Sequence, residues 1–451
     1  MRNLISIIAA VLITSVVVGS ALRTAPAEPS DRQEVVFWHF WGGRDRPLVQ
    51  EIVAQFNASQ DQYFVRAIAM PGSNLDLKFF LSVAGNDPPD LLNHDDPVVA
   101  DWAHRGVLTP LDELTTADEI GRLEAWLFPA ARQLGSYEGR LYALCNGLDV
   151  RALYCNQTLL TEYQLPLPRT IEQLDQIAET IAPAADASGR KQMGYLPDPR
   201  RLWAWGIVFG GNFWNPQAGE PAAKITADSP KIVAALEWMA GYSRRYGPSE
   251  VAAFRSGEQA LAGAAFPLLD RRYAVIMDGQ WRVRDIAQAQ AAEATSGKAP
   301  DEFAVVPLPA PAEGRVNAGW VNGNFFVVPR QARQKQGAWQ FMKFWSGFSE
   351  TAQQAAEACA EGGWIPASQS VVDQRVYQQA LDQSPLLRKF VELAASENQQ
   401  PVPPLPVASV YYQEVVAAAQ EVLYRDADPQ ASLRQAADRT RARLQEVLDA
   451  R

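Results

Sequence analysis

Histidine and cysteine are scarce, with three of each in 451 residues. His39, His94 and His104 fall at no metal-ligand spacing, so no metal is expected. Cys145, Cys155 and Cys359 are too scattered for a thiolate cage or a disulfide framework. If the chain between Cys145 and Cys155 runs extended, their Cα atoms lie about 30 Å apart, far outside disulfide reach, and free, buried thiols are expected. Neither a phosphate-cradling glycine loop nor a G-x-S-x-G elbow occurs, which removes the commonest nucleotide-cofactor and serine-hydrolase signatures. No cofactor is expected. Positive charge is short as well: 41 Lys and Arg against 51 Asp and Glu give a net charge of -10, with no basic run, and that sets nucleic acid aside.

One long apolar run exists, at the N-terminus. Residues 1–27 carry Arg2, an apolar stretch over 4–18, then Gly19, Ser20 and Ala21, the layout of an export signal with cleavage after Ala21 or Ala27. The same segment is long enough to stay as an uncleaved anchor, since residues 3–22 are uncharged. The first cysteine is Cys145, so attachment as a lipoprotein is not expected. An exported protein, periplasmic or at the cell surface, follows.

The length exceeds the roughly 250–300 residues at which one core stops growing, and at least two lobes are expected. Residues 35–41 (VVFWHFW) and 63–70 read as strands, with a short strand at 91–92 and amphipathic helices between them. This is the strand–helix rhythm of a parallel sheet. In such sheets ligands lie beyond the carboxyl ends of strands. His39, Trp41 and Gly42 at the first end, and Asn93 and Asp95 at the third, are therefore candidates, while Phe37 and Trp38 are expected in the core. Farther on, residues 141–156 form a long β-rich segment broken by Asn146 and Gly147. Residues 274–281 read as strand then turn, and the chain from 410 onward is almost wholly helical.

Aromatic rings are plentiful where loops should be. Trp41, Trp203, Trp205, Trp281, Trp320, Trp364 and Tyr411 all stand beside Gly, Pro or polar residues. Flat rings suit the C–H faces of a sugar, and ionised or amide groups suit its hydroxyl rim. Asp95, Asp149 and Arg151 are candidate edge groups. Asp278 is equally a turn residue, and each single Trp is as readily explained by packing. Asp95 with Asp96 could be half of a paired-carboxylate glycosidase site, yet adjacent side chains diverge and no second member is evident.

The segments VVFWHFW, PPDLLNHDDPVVADWAHRGVLTPLDEL, YEGRLYALCNGLDVRALYCNQTLL, AVIMDGQW, NGNFFVVPRQARQKQGAWQFMKFW and GGWIPASQSVV occur in an order and spacing that resembles the extracellular solute-binding proteins of ATP-driven sugar importers, the group that includes maltose-binding protein. The resemblance implies an α/β protein of two lobes, a type II periplasmic-binding-protein-like fold, each lobe a mixed sheet flanked by helices. Crossing segments near 146–151, 317–322 (with Asn322) and 363–368 would act as the hinge. It implies one lobe from 34–148 with 321–364 and another from 149–320 with 365–451. An acidic sugar contact carries over onto Asp95 and aromatic platforms onto Trp281 and Tyr411, with Trp203 and Trp205 competing for one role. Trp320 and Trp364 depart from the pattern, standing where relatives favour small residues. The implied function is a monomeric, non-enzymatic receptor that captures a carbohydrate between lobes and hands it to the transmembrane subunits of an ABC permease. An exported glycan-cleaving enzyme and a membrane-anchored sugar-sensing subunit are the rivals.

Overall fold

The computed structural model describes residues 31–72, 74–95, 97–181, 192–260 and 266–450. The export segment at 1–27 and Asp96 lie outside the described residues. The strands are β1 (Gln33–His39), β2 (Tyr63–Ala69), β3 (Leu91–His94), the short hairpin β4 (Ser136–Tyr137) and β5 (Arg140–Leu141), β6 (Ala143–Asn156), β7 (Val275–Gly279), β8 (Phe303–Val306), β9 (Gly319–Val327) and β10 (Gln399–Gln400).

Alternation makes β1: Val35, Phe37 and His39 are buried on one face of the strand. It pairs in parallel with β2 from Gln33↔Tyr63 to His39↔Ala69, and with β3 at Phe37↔Leu91. The intervening helix Arg46–Ser59 starts with Pro47 in its first turn, where the missing N–H costs nothing. It buries Leu48, Ile52 and Phe56 at i, i+4, i+8. Phe37 meets Phe326, Phe341 and Trp345 edge to face, at 5.7, 5.4 and 6.1 Å, and these rings form the heart of the first core.

The sheet is continuous from one half of the molecule to the other. Its order is β2-β1-β3-β9-β6-β7, with β8 against β6 and β10 against β9. Fourteen-residue β6 explains this. Its first part, Ala143 to Val150, pairs with β9, and from Arg151 onward it pairs with β7 and β8. The two mixed sheets expected from the sequence are thus joined through one strand. At the change of partners three segments lie side by side: Leu148 is in register with Gly323 of β9, and its N–H donates to the Ile365 carbonyl at 2.9 Å. Close approach demands glycine there, because a Cβ on Gly323 would sit 2.6 Å from the Gly147 carbonyl oxygen.

Cys145 and Cys155 both lie in extended β6, and all three cysteines are free and buried, as their spacing led us to expect. Helices Ala408–Arg425 and Pro429–Asp449 close the second half, the latter capped by Asp428, which accepts from the Ala431 N–H. Among the described residues no helix is long and apolar enough to cross a membrane.

Candidate functional site

Beyond the crossing, β6 places Arg151 opposite Gly279 of β7. The chain then turns, and Trp281 lays its ring over Gly279, where any Cβ would collide with it. The Arg151 guanidinium lies 5.2 Å from the Trp281 ring centroid and 4.3 Å from that of Trp320 on β9, a cation held by two indoles. Tyr412 continues the row 5.5 Å from Trp320, and Trp203 stacks on Tyr412 at 6.1 Å with an interplanar angle of 18°. Trp281, Arg151, Trp320, Tyr412 and Trp203 therefore form one band, assembled from five separate parts of the sequence.

Polar groups border the band. Gln280 Nε2 donates to Asp149 Oδ1 at 2.7 Å and to the Leu148 carbonyl at 3.0 Å. Asp278 accepts from Arg282 Nε at 2.9 Å, its neighbouring Gly279 N–H at 2.9 Å and Arg201 at 3.4 Å. Burial, then the neighbouring Arg201, lowers the Arg151 pKa to about 10, against the pull of Asp149 and Asp278. Burial likewise raises the Asp149 carboxyl, with Arg151 and Gln280 opposing. Four donors here have no hydrogen-bond partner although buried: Arg151 Nε, Arg201 Nε, Trp203 Nε1 and Trp320 Nε1. Protein interiors seldom leave N–H groups unpaired, because each costs about 1–3 kcal/mol.

Other candidates are placed elsewhere. β1 ends at His39, two residues earlier than expected, and the chain then folds inward. Trp41 is consequently not a rim platform: it is buried and stacks on Trp345 at 5.2 Å and on Trp364 at 5.9 Å. His39 packs between Phe37 and Trp41, and burial with nearby Arg46 lowers its pKa to about 4. Gly42 is exposed and open around its Cα, so no close approach requires glycine there. Trp205 belongs to the second core, donating to the Tyr195 hydroxyl at 3.1 Å with Trp238 4.5 Å away. Tyr411 is fully buried and donates to the Phe213 carbonyl at 2.7 Å. Asn93 is buried too, bound to Asn146 and the Phe325 carbonyl at 3.2 Å each. Asp95 is half exposed near β3, and Asn322 donates to its backbone carbonyl.

Sequence reasoning missed Tyr412, and helical phase could have found it. Ala408, Tyr411, Val415, Ala418 and Val422 mark the buried stripe of their helix, so Tyr411 faces the core and the next residue, turned about 100°, does not.

The two halves also touch at charged side chains. Arg44 pairs with Asp285 at 3.1 Å and Asp45 with Arg284 at 2.7 Å, linking the turn after β1 to the helix Arg282–Thr295. Arg284 further donates to the Gly362 carbonyl at 2.9 Å. A cavity of about 250 Å³ opens between helix Pro129–Gly135 and the segment holding Ile207, Phe213 and Trp214, roofed by Gln399 to Pro403.

A mixed sheet continued from one half to the other through a strand that changes partners, with helices around each half, is the two-lobed fold of sugar-binding proteins. The chain belongs to the bacterial extracellular solute-binding protein family, whose pattern it matches over residues 51–383. Its structure is similar to that of CpMnBP1 with mannotriose bound, at a TM-score of 0.74 and 22% identity, covering 91% of this chain and 100% of that one. The sugar-binding protein MalE of Xanthomonas citri is similar at a TM-score of 0.73 and 18% identity, covering 92% and 98%. In sequence, the maltotriose-binding protein of Pyrococcus abyssi is 20% identical over 346 residues, 75% of this chain and 68% of that protein.

Proposed function

We propose that the chain is the capture receptor of an ATP-driven importer, that it is exported, and that it takes a sugar or oligosaccharide between its lobes for delivery to a membrane permease. One observation carries this reading: a band of four aromatic rings and a guanidinium with three buried, unpaired N–H donors, and a fourth on neighbouring Arg201. Rings match the apolar faces of a pyranose, and the unpaired donors match its oxygens. The relatives that bind maltotriose and mannotriose by name support the same class of guest.

Residues 34–148 with 321–364 make one lobe in this reading, and 149–320 with 365–451 the other. The three adjacent crossings serve as the hinge. Closure is favoured by whatever contacts the guest makes in the closed form alone. Micromolar affinity amounts to about -8 kcal/mol, within reach of two or three stacked rings and several hydrogen bonds. The proposal is tested by isothermal titration and thermal shift of the mature chain against a sugar panel, with the sugars recovered afterwards. Saturable, stabilising binding without turnover is expected; binding of no carbohydrate would sink the reading, and cleavage would favour an enzyme.

A further inference from the structure

Resting on the carbohydrate reading, we propose that the preferred guest carries a carboxylate: an acidic oligosaccharide built from uronate units rather than a neutral one. The argument begins with an imbalance of donors over acceptors. Arg151 Nε, Arg201 Nε, Trp203 Nε1 and Trp320 Nε1 all lack partners, and every one of them is a donor. Gln399 Oε1, an unpaired acceptor, lies beside Gly319 rather than on the band. A sugar hydroxyl brings a donor along with its lone pairs. A carboxylate brings acceptors only, with lone pairs enough for several N–H groups.

Charge points the same way. Arg151 is 6% exposed, and among the described residues no carboxylate forms an ion pair with it. Its one protein hydrogen bond goes to the Asp149 backbone carbonyl, at 2.6 Å. The carboxylates nearby are already engaged. Asp149 is held by Gln280 at 2.7 Å, Asp198 by the neighbouring Arg200 at 2.7 Å, and Asp278 chiefly by Arg282 at 2.9 Å, which leaves Arg201 a contact at 3.4 Å. Two indole rings stand within cation–π distance of Arg151, but rings neither accept strong in-plane hydrogen bonds nor cancel a full charge. A buried guanidinium whose neighbouring carboxylates are bonded to other groups is costly, and the planar fork of Arg fits a carboxylate better than it fits a hydroxyl. The chain's net charge of -10 would repel an anion at long range, so the selectivity has to be built locally, as it is here.

The experiment titrates the sugar-free mature chain with trimannuronate and trigalacturonate beside mannotriose and maltotriose, at about 20 mM and about 500 mM NaCl. At low salt at least one acidic trimer should bind about tenfold or more tighter than its neutral counterpart, with the advantage shrinking as salt rises. Arg151→Gln, and separately Arg201→Gln, should each cut acidic-trimer affinity by about tenfold or more and flatten its salt dependence. Should Arg151→Gln fail to fold, the salt titration of the unaltered chain decides alone. Equal or tighter binding of the neutral trimers, independent of salt, would overturn the inference and leave the carbohydrate reading standing. Saturable binding of neither kind would overturn both.

Discussion

Two groups of indoles in this chain use the same side chain to opposite ends. Near β1, Trp41, Trp345 and Trp364 stack within 5.2 to 6.2 Å of one another, and none of their nitrogens is among the buried atoms left unpaired. Near β6, Trp281, Trp320 and Trp203 are interleaved with a guanidinium and a phenol, and two of the three have orphaned N–H groups. The first group stacks ring on ring, with no cation–π contact to any of the three among the described residues, and fills a core. In the proposed reading, the rings around Arg151 are the ones that meet the guest. Burial does not distinguish the two groups: Trp203 is as buried as any core residue, and its nitrogen has no partner.

The comparison is broken most forcefully at Trp345. Trp345→Ala should cost about 3–5 kcal/mol of stability through the cavity it leaves, read from urea denaturation, while the folded fraction binds sugar within about twofold of the original affinity. A large loss of affinity without a loss of stability would assign the wrong stack to binding.

His39 tests the dryness of the first stack. Its pKa is held near 4, below the ordinary 6.5, first by burial and then by Arg46. The folded state therefore prefers the neutral ring. The stability this confers is present above pH 6.5 and is lost as the pH falls through 4, up to about 3 kcal/mol over that window. His39→Leu should remove that share of the acid sensitivity, measured as the difference in unfolding free energy between pH 7.5 and pH 4.

The two adjacent tyrosines sharpen the contrast further. Tyr412→Ala should weaken sugar binding by about 10- to 100-fold with a small change in stability, since its ring links Trp320 to Trp203. Tyr411→Phe should cost about 1 kcal/mol of stability through the lost bond to the Phe213 carbonyl and leave affinity unchanged. Titration calorimetry paired with thermal unfolding distinguishes the two.

How far the sequence reveals all this depends on the range of the interaction. Strand–helix alternation in residues 33–94 and the extended run of β6 are local patterns, and both are legible because alternation and 3.6-residue periodicity are written in neighbouring residues. Trp41 misled because a ring at a strand end reads as a rim group until Trp345, some 300 residues later, is known to stack on it. Tyr411 misled for a nearer reason: resemblance marked the position, but the helical phase of its own neighbours selects Tyr412 for the band. Arg151 was legible as a polar group at the crossing; that two indoles from β9 and the end of β7 would enclose it was not, since no local signal records a tertiary neighbour.

The smallest expected effect lies where the halves meet. Arg284 reaches Asp45 at 2.7 Å and the Gly362 carbonyl at 2.9 Å, and Asp285 reaches Arg44 at 3.1 Å, all partly exposed to water. Such pairs each contribute about 0.2–1 kcal/mol and are screened by salt, so they would bias the proposed hinge without locking it. If they join only in the closed arrangement, Arg284→Ala should shift the sugar-free protein toward the open form and weaken sugar affinity by about two- to fivefold, with the deficit fading at high salt. Small-angle scattering of the sugar-free chain would show a larger radius of gyration for the variant. An unchanged radius with unchanged affinity would mean that the pairs persist in both arrangements, leaving closure to the band around Arg151 alone.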